Sequence, residues 1–261
     1  MKKRIHLYVN TTKQEAINCS EEVRSELIKQ GYKIVEDNAD IIIGFGGDGT
    51  LLHLLNESNY NLSASYIGVN CGTLGFLQDF NVTNVESFVR NIPCYEEQQL
   101  KFIDLQIEIA GKKYEYKALN EFAIQDSQDK TFRTGVYVNN IFLENYVGSG
   151  MIFSTPTGST ALNLSAGGCI VHPNLECIQI TPREAITNSK MHCLSKSICV
   201  PSGFDITLDP NSDSDVKIYV DGKLAYTGLY DNIYICYCGC CMTKLKERRD
   251  SFIKTIREKL I

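Results

Sequence analysis

The sequence has no uninterrupted apolar segment of about 18 residues, so no helix is expected to span a bilayer. It has no H-E-x-x-H and no G-x-S-x-G, and its four histidines, His6, His53, His172 and His192, are scattered. Zinc-peptidase and serine-hydrolase chemistry therefore lack their usual groups. It also lacks an excess of positive charge: 26 Lys and Arg stand against 31 Asp and Glu, a net charge of -5. That balance gives no broad attraction for nucleic acid or an anionic membrane, and neither is expected as a partner. The start, "MKKRIHLYVNTTKQ", is basic, but His6, Asn10 and the polar run after it interrupt any apolar signal core. A cytoplasmic protein is expected.

Paired C-x-x-C spacing is missing too, although there are eleven cysteines. An odd number in a chain long enough to bury its own core fits reduced thiols better than a disulfide framework. The densest group, Cys236-Tyr237-Cys238-Gly239-Cys240-Cys241, continues the apolar run Asn232 to Ile235. Its alternation reads as a metal-free strand with small hydrophobes at every second position.

With 261 residues, 43% of them hydrophobic and 22% charged, the chain reads as a soluble globular protein of one or two domains. Its first third alternates: a strand at Ile5 to Val9, a helix from Lys13 to Gln30 capped by Gly31, and strands at Tyr32 to Val35 and Ile41 to Phe45. A helix starts near Thr50, a strand covers Ser65 to Val69, and a short helix at Asn84 to Asn91 stops before Pro93. This order predicts a parallel sheet covered by helices. Beyond Pro93 the period changes to two: Ile103, Leu105, Ile107 and Ile109 alternate with polar residues. Gly111-Lys112-Lys113 reads as a turn into a strand at Tyr114 to Leu119. Strands follow at Gly135 to Val138, Ile141 to Tyr146, Asp205 to Leu208 and Val216 to Val220, the last closed by an Asp221-Gly222 hairpin turn. Lys244 to Leu260 reads as a charged helix that covers an apolar surface with Leu245, Phe252, Ile253 and Ile256.

The segment "IIIGFGGDGT" carries the most chemistry. Gly44, Gly46 and Gly49 match the G-x-G-x-x-G of a dinucleotide cradle, yet the loop follows the third strand and no acid ends the next one. It also fails as a P-loop, because Thr50 stands where that motif needs lysine. Asp48 is the anomaly. An anion within reach of phosphate repels it unless it binds a cation or accepts a proton, so Asp48 suggests metal binding or removal of a proton from an attacking hydroxyl. The alternative is an Asp-Gly turn chosen for backbone geometry alone.

Two further stretches add to it. Asn120 and Glu121 interrupt the apolar "ALNEFAI", where burial is costly without polar partners such as a ribose diol. Ser154 to Gly168, "STPTGSTALNLSAGG", offers hydroxyls and close backbone approach to a phosphate or an adenine. A water-facing sheet edge and a surface loop are the plain readings of the same residues.

Taken together, Gly46 to Thr50, Asn120-Glu121 and Ser154 to Gly168 resemble, in order, the signature regions of the NAD kinase family in its shorter bacterial form. Gly72 to Leu77 is similar to a further family segment, and the likeness covers nearly the whole chain. The resemblance implies a Rossmann-like α/β domain over 1–97, a β-rich, sandwich-like domain over 98–243, and a helix over 244–261 returning to the first. It implies phosphoryl transfer from ATP to the adenosine 2′-hydroxyl of NAD, a divalent metal (Mg²⁺ or Mn²⁺) accompanying ATP without a fixed protein site, and a homo-oligomer. Asp48 would be the general base, with Gly46, Gly47, Gly49 and Thr50 at the phosphates. Asn120, Glu121, Ser149, Thr160, Ala161, Leu162, Asn163, Ser165 and Ala185 would bind NAD. Where the family often has a basic residue, an Asp and a Tyr, this chain has Val147, Ser149 and Leu162. A lipid kinase sharing G-G-D-G-T, and a silent NAD or NADP sensor, are the rival readings.

Overall fold

A computed structural model of the chain describes residues 3–57, 61–72, 75–188, 192–210, 215–247 and 251–261. They form two compact units: Met1–Gln99 with Met242–Ile261, and Leu100–Cys241. Thr73 and Leu74, part of the family-like segment, lie outside the described residues.

The first unit opens with β1 (Arg4–Val9), α1 (Gln14–Lys29), β2 (Lys33–Ile34), β3 (Ile41–Gly46), α2 (Asp48–Glu57), β4 (Ser65–Asn70) and α3 (Val85–Asn91). The strands are parallel in the order β2-β1-β3-β4. Every residue of β3 is buried, as expected for a central parallel strand covered on both faces. Ala16, Val23 and Leu27 recur at helical spacing and seat α1 in the core with Ile41, Ile43 and Phe45. Gly31, with φ 82°, ends α1 in the left-handed region that glycine adopts at low cost. Asn84 caps α3 by accepting from Ser87 N at 2.8 Å. The expected strand at Tyr32 to Val35 shortens to the two residues of β2, which sits at the sheet edge.

The second unit contains most of β5 (Glu96–Ile109), then β6 (Lys112–Ala118), β7 (Glu121–Asp126), β8 (Phe132–Val138), β9 (Ile141–Gly148) and β10 (Gly150–Ser154). After the short helix α4 (Leu162–Ser165) come β11 (Cys177–Arg183), β12 (Ile198–Pro201), β13 (Ile206–Pro210), β14 (Val216–Val220) and β15 (Lys223–Gly228). One antiparallel sheet runs β12-β11-β10-β7-β14-β15. Its inner residues Phe122, Ile124, Phe153, Ile180 and Ile218 share one core with Leu105, Ile107, Val136, Ile206 and Leu208 of other strands. The β5–β6 turn lies at Ala110-Gly111 (φ 49° and 75°), so Lys112 and Lys113 are already strand. Asp221 and Gly222 (φ 47° and 80°) make the predicted tight hairpin.

The last strand, β16 (Asn232–Lys246), corrects two expectations. Residues 233–235 pair with β13 in the second unit, while Thr243 and Lys244 pair in parallel with Ser65 and Tyr66 of β4 in the first. Lys244 to Lys246 are therefore strand, because Leu245 belongs to the first unit's core; the helix, α5 (Ser251–Leu260), begins later. Phe252 faces the unit, whereas Ile253 is 63% exposed. The cysteine group does lie on a strand, but of its members only Cys238 is buried, and its Sγ lies 2.7 Å from that of Cys240.

Lys244 is itself buried. Its Nζ meets Asp79 Oδ2 at 2.7 Å and Leu77 O at 3.3 Å, with the two charged side chains only 4% and 7% exposed. Removing the lysine takes away the cation that this buried carboxylate meets at 2.7 Å. Lys244→Met should destabilise the protein by about 3–5 kcal/mol in denaturant titration, and the double variant Lys244→Met/Asp79→Leu should recover most of the loss. A single variant as stable as the parent would contradict this account.

Candidate active site

Asp48 stands at the start of α2, where β3 gives way to the glycine turn. Its two carboxylate oxygens accept from the backbone of a remote segment: Oδ2 from Phe76 N at 2.8 Å, Oδ1 from Leu77 N at 2.9 Å. The approach requires Gly75, since a Cβ there would fall 2.1 Å from Asp48 Oδ1. Gln78 Nε2 donates to Gly47 O at 2.8 Å, tying the same segment to the turn from the other side. The carboxylate is thus fixed by charge-assisted hydrogen bonds yet remains 30% exposed.

The turn itself divides its labour. Gly47 and Gly49 border open space, with no neighbouring atom where a Cβ would stand. Thr50 points inward instead: its Oγ1 accepts from Gly47 N at 3.2 Å and from Asn10 Nδ2 at 3.5 Å, and the residue is buried. It shapes the turn from within. Gly46 N-terminal to it lies against that same hydroxyl.

In the second unit, Asn120 and Glu121 are organised by Asp221. The Asp221 carboxylate accepts from Leu119 N at 3.0 Å, Asn120 N at 2.7 Å and Glu121 N at 3.2 Å, and Asp221 N donates to Glu121 O at 3.1 Å. Burial raises the pKa of Asp221, against the lowering effect of those three amides. Glu121 is 3% exposed, and its Oε2 has no hydrogen-bond partner among the described residues. Burial first, and the nearby Asp221 second, push its pKa up to about 8.

The small-residue stretch folds against this pair. Thr155 N donates to Asn120 O at 2.9 Å and Thr155 Oγ1 to Leu119 O at 2.5 Å; a Cβ on Gly158 would strike Asn120 O at 2.1 Å. Ser159 Oγ bridges both backbone groups of Val171, at 2.9 and 3.1 Å. The hydroxyls of Ser154, Thr155 and Ser159 are therefore spent on the backbone of Asn120, Leu119 and Val171. Thr160, Ala161, Leu162 and Ser165 remain on its accessible side. Asn163 is wholly buried, its Oδ1 accepting from Thr181 Oγ1 at 2.6 Å. Ala185 is half-buried against the core. Val147 is buried and accepts from Ile186 N through its carbonyl, at 2.8 Å.

At Ser149 a carboxylate lies within hydrogen-bond reach. Ser149 Oγ donates to Glu184 Oε2, and Glu184 is held at φ 50° just past the end of β11. A carboxylate thus reaches position 149 from another strand. Sequence reading missed Glu184, Gln78, Lys244 and the role of Asp221. Only Asp221 left a signal, as the first residue of a tight turn.

No three His, Cys, Asp or Glu side chains converge as a metal site among the described residues, and no helix among them is long and apolar enough to cross a membrane.

The chain is similar to known proteins over most of its length. Residues 2–93 match the family model of the ATP-NAD kinase N-terminal domain, and residues 119–239 that of the C-terminal domain. The chain is 32% identical to an NAD kinase of Streptococcus pneumoniae over 226 residues, 85% of this chain and 82% of that one. Among solved structures it superposes on a yeast NADH kinase complexed with NADH, at a TM-score of 0.86 and 20% identity, covering 99% of this chain and 87% of that one. An NAD kinase from Archaeoglobus fulgidus in complex with ATP gives a TM-score of 0.76 at 20% identity, covering 100% and 97%. These two establish likeness of fold. An NAD kinase of Finegoldia magna is 30% identical over 270 residues, 98% of this chain and 97% of its own length, and with that full-length match the chain belongs to the NAD kinase family.

Proposed function

We propose that this protein transfers the terminal phosphoryl group of ATP to the 2′-hydroxyl of the adenosine ribose of NAD, yielding NADP and ADP. The observation that carries the reading is Asp48: a carboxylate fixed by two amides inside a glycine turn, yet open to a substrate. In that place it accepts the hydroxyl proton as the ribose oxygen attacks the terminal phosphorus and the bond to the bridging oxygen breaks, releasing ADP. Gly47 and Gly49, which border open space, let the phosphates approach the backbone, while Gly46, packed on Thr50, and Thr50 itself keep the turn in shape.

The second unit, taken by itself, carries groups that suit NAD. Glu121 Oε2, buried and without a partner among the described residues, suits a ribose hydroxyl, and Asn120 beside it offers an amide. Thr160, Ala161, Leu162 and Ser165 line the adenosine, Asn163 holds their loop in place, and Ala185 closes it. Ser149 with Glu184 takes the nicotinamide end. The related folds that hold NADH and ATP support both substrate classes. A divalent ion, Mg²⁺ or Mn²⁺, would arrive on the ATP phosphates and screen their charge; the described residues form no cage for it, and no step is assigned to it. Eleven free thiols suit the reducing cytoplasm, and Ile141, Phe142 and Leu143, exposed along β9, suit a homo-oligomer.

The direct test incubates the purified chain with NAD, ATP and Mg²⁺ and measures NADP with an NADP-specific dehydrogenase. Asp48→Asn should keep the fold and lower turnover by about 10²-fold or more; near-parental turnover in a folded Asp48→Asn would reject the assignment.

A second prediction concerns pH. Hydrogen bonds from ribose hydroxyls favour the ionised form of Glu121, so binding NAD should lower its pKa and release a proton. Below a free-state pKa of about 8, affinity for NAD should therefore strengthen as pH rises from 6 to 8 and then level off. Glu121→Gln should flatten that dependence in calorimetric titrations. An equally steep profile in the variant would remove Glu121 from the ribose.

A further inference from the structure

Asp48 creates an electrostatic difficulty, because a carboxylate in a phosphate-binding turn repels the phosphate. The amides of Phe76 and Leu77 offset part of that charge. A full positive charge comes from the last helix. Lys259, in the final turn of α5, places its Nζ 4.0 Å from Asp48 Oδ2 and 4.8 Å from the centroid of the Phe76 ring. The helix is anchored there by Phe252, whose ring centroid lies 6.2 Å from that of Phe76 at a tilt of 55°. Phe76 is also the residue whose N–H holds Asp48 Oδ2. Lysine, ring, amide and carboxylate thus form one cluster drawn from three distant stretches of the first unit.

The lysine is not used up by these contacts. A separation of 4.0 Å is the outer edge of an ion pair, and the Lys259 and Asp48 side chains are 37% and 30% exposed. Such a pair contributes little to stability by itself. An ammonium has three N–H donors, and the ring face takes none of them in a directional bond. Lys13 brings a second ammonium to the neighbouring segment, 3.0 Å from where a Cβ on Gly72 would stand.

Resting on the reading that this turn receives the donor's phosphates, we propose that Lys259 is a ligand of the donor's terminal phosphate, supplied by the C-terminal helix, which offsets the charge of Asp48. The phosphate site is then incomplete without α5. An arginine here would keep the charge and the donors, a methionine only the stem.

The test compares full-length Lys259→Met and Lys259→Arg with the parent in initial-rate kinetics, varying ATP at saturating NAD and NAD at saturating ATP. Lys259→Met should raise the KM for ATP by about tenfold or more, as expected on losing one charge-assisted bond, with the KM for NAD within about twofold. Lys259→Arg should recover most of the ATP affinity. An unchanged KM for ATP, an equal loss for both substrates, or no recovery in Lys259→Arg would overturn the proposal. Thermal melting accompanies each variant, and Lys259→Gln replaces Lys259→Met if the latter does not fold. Calorimetric titration with tripolyphosphate keeps the two readings separable. If the parent makes no NADP, the reading of the reaction fails; equal tripolyphosphate affinity in parent and Lys259→Met would overturn the lysine's role separately.

Discussion

The geometry of the first unit depends on one buried ion pair, Lys244 with Asp79. Asp79 ends a short run in which each residue has an assignment: Phe76 and Leu77 present amides to Asp48, and Gln78 holds Gly47. Lys244 grips that run twice, through the Asp79 carboxylate and through the Leu77 carbonyl. Buried ion pairs return little net stability, since desolvation consumes most of the attraction. What this pair returns is position. The amides at residues 76 and 77 are set where a carboxylate must sit, and the turn after β3 is shaped around that requirement.

The two units solve related problems with opposite assignments. In the first, backbone amides hold the carboxylate of Asp48 in the glycine turn. In the second, the Asp221 carboxylate gathers three amides and so fixes the backbone from which Asn120 and Glu121 project. Glu121 then carries the cost, being buried near a second acid with no partner for Oε2 among the described residues. Such a group is poorly suited to an empty protein and well suited to one that holds a polyhydroxyl ligand.

Local signals made much of the fold legible. β1, β3, β4, α1 and α3 follow from period, caps and glycine placement, and the change of period after Pro93 marks the β-rich region. The reading failed where a distant partner decides. Lys244 to Lys246 looked helical because their charges and spacing permit a helix, but pairing with β4 and burial of Leu245 make them strand. The hydroxyls of Ser154 to Gly168 looked like ligand donors, yet those of Ser154, Thr155 and Ser159 are consumed in closing on Asn120, Leu119 and Val171. Position 149 looked as if it lacked an acid, because Glu184 reaches it from 35 residues away in sequence. Motif residues were visible; the groups that aim them were not, since no sequence spacing links residue 48 to residue 76 or residue 121 to residue 221.

The first unit is discontinuous, closed by the residues from Met242 onward. On the ribosome, Asp48 and its turn emerge long before Lys244, so the nascent segment at 75–80 lacks the cation that pairs with Asp79 until Lys244 has been made. The first unit therefore cannot reach its final form vectorially, ahead of the second. Its early product is a sheet whose β4 lacks the pairing at Ser65 and Tyr66, with Asp79 not yet joined to Lys244, a species that chaperones and proteases would recognise as unfinished.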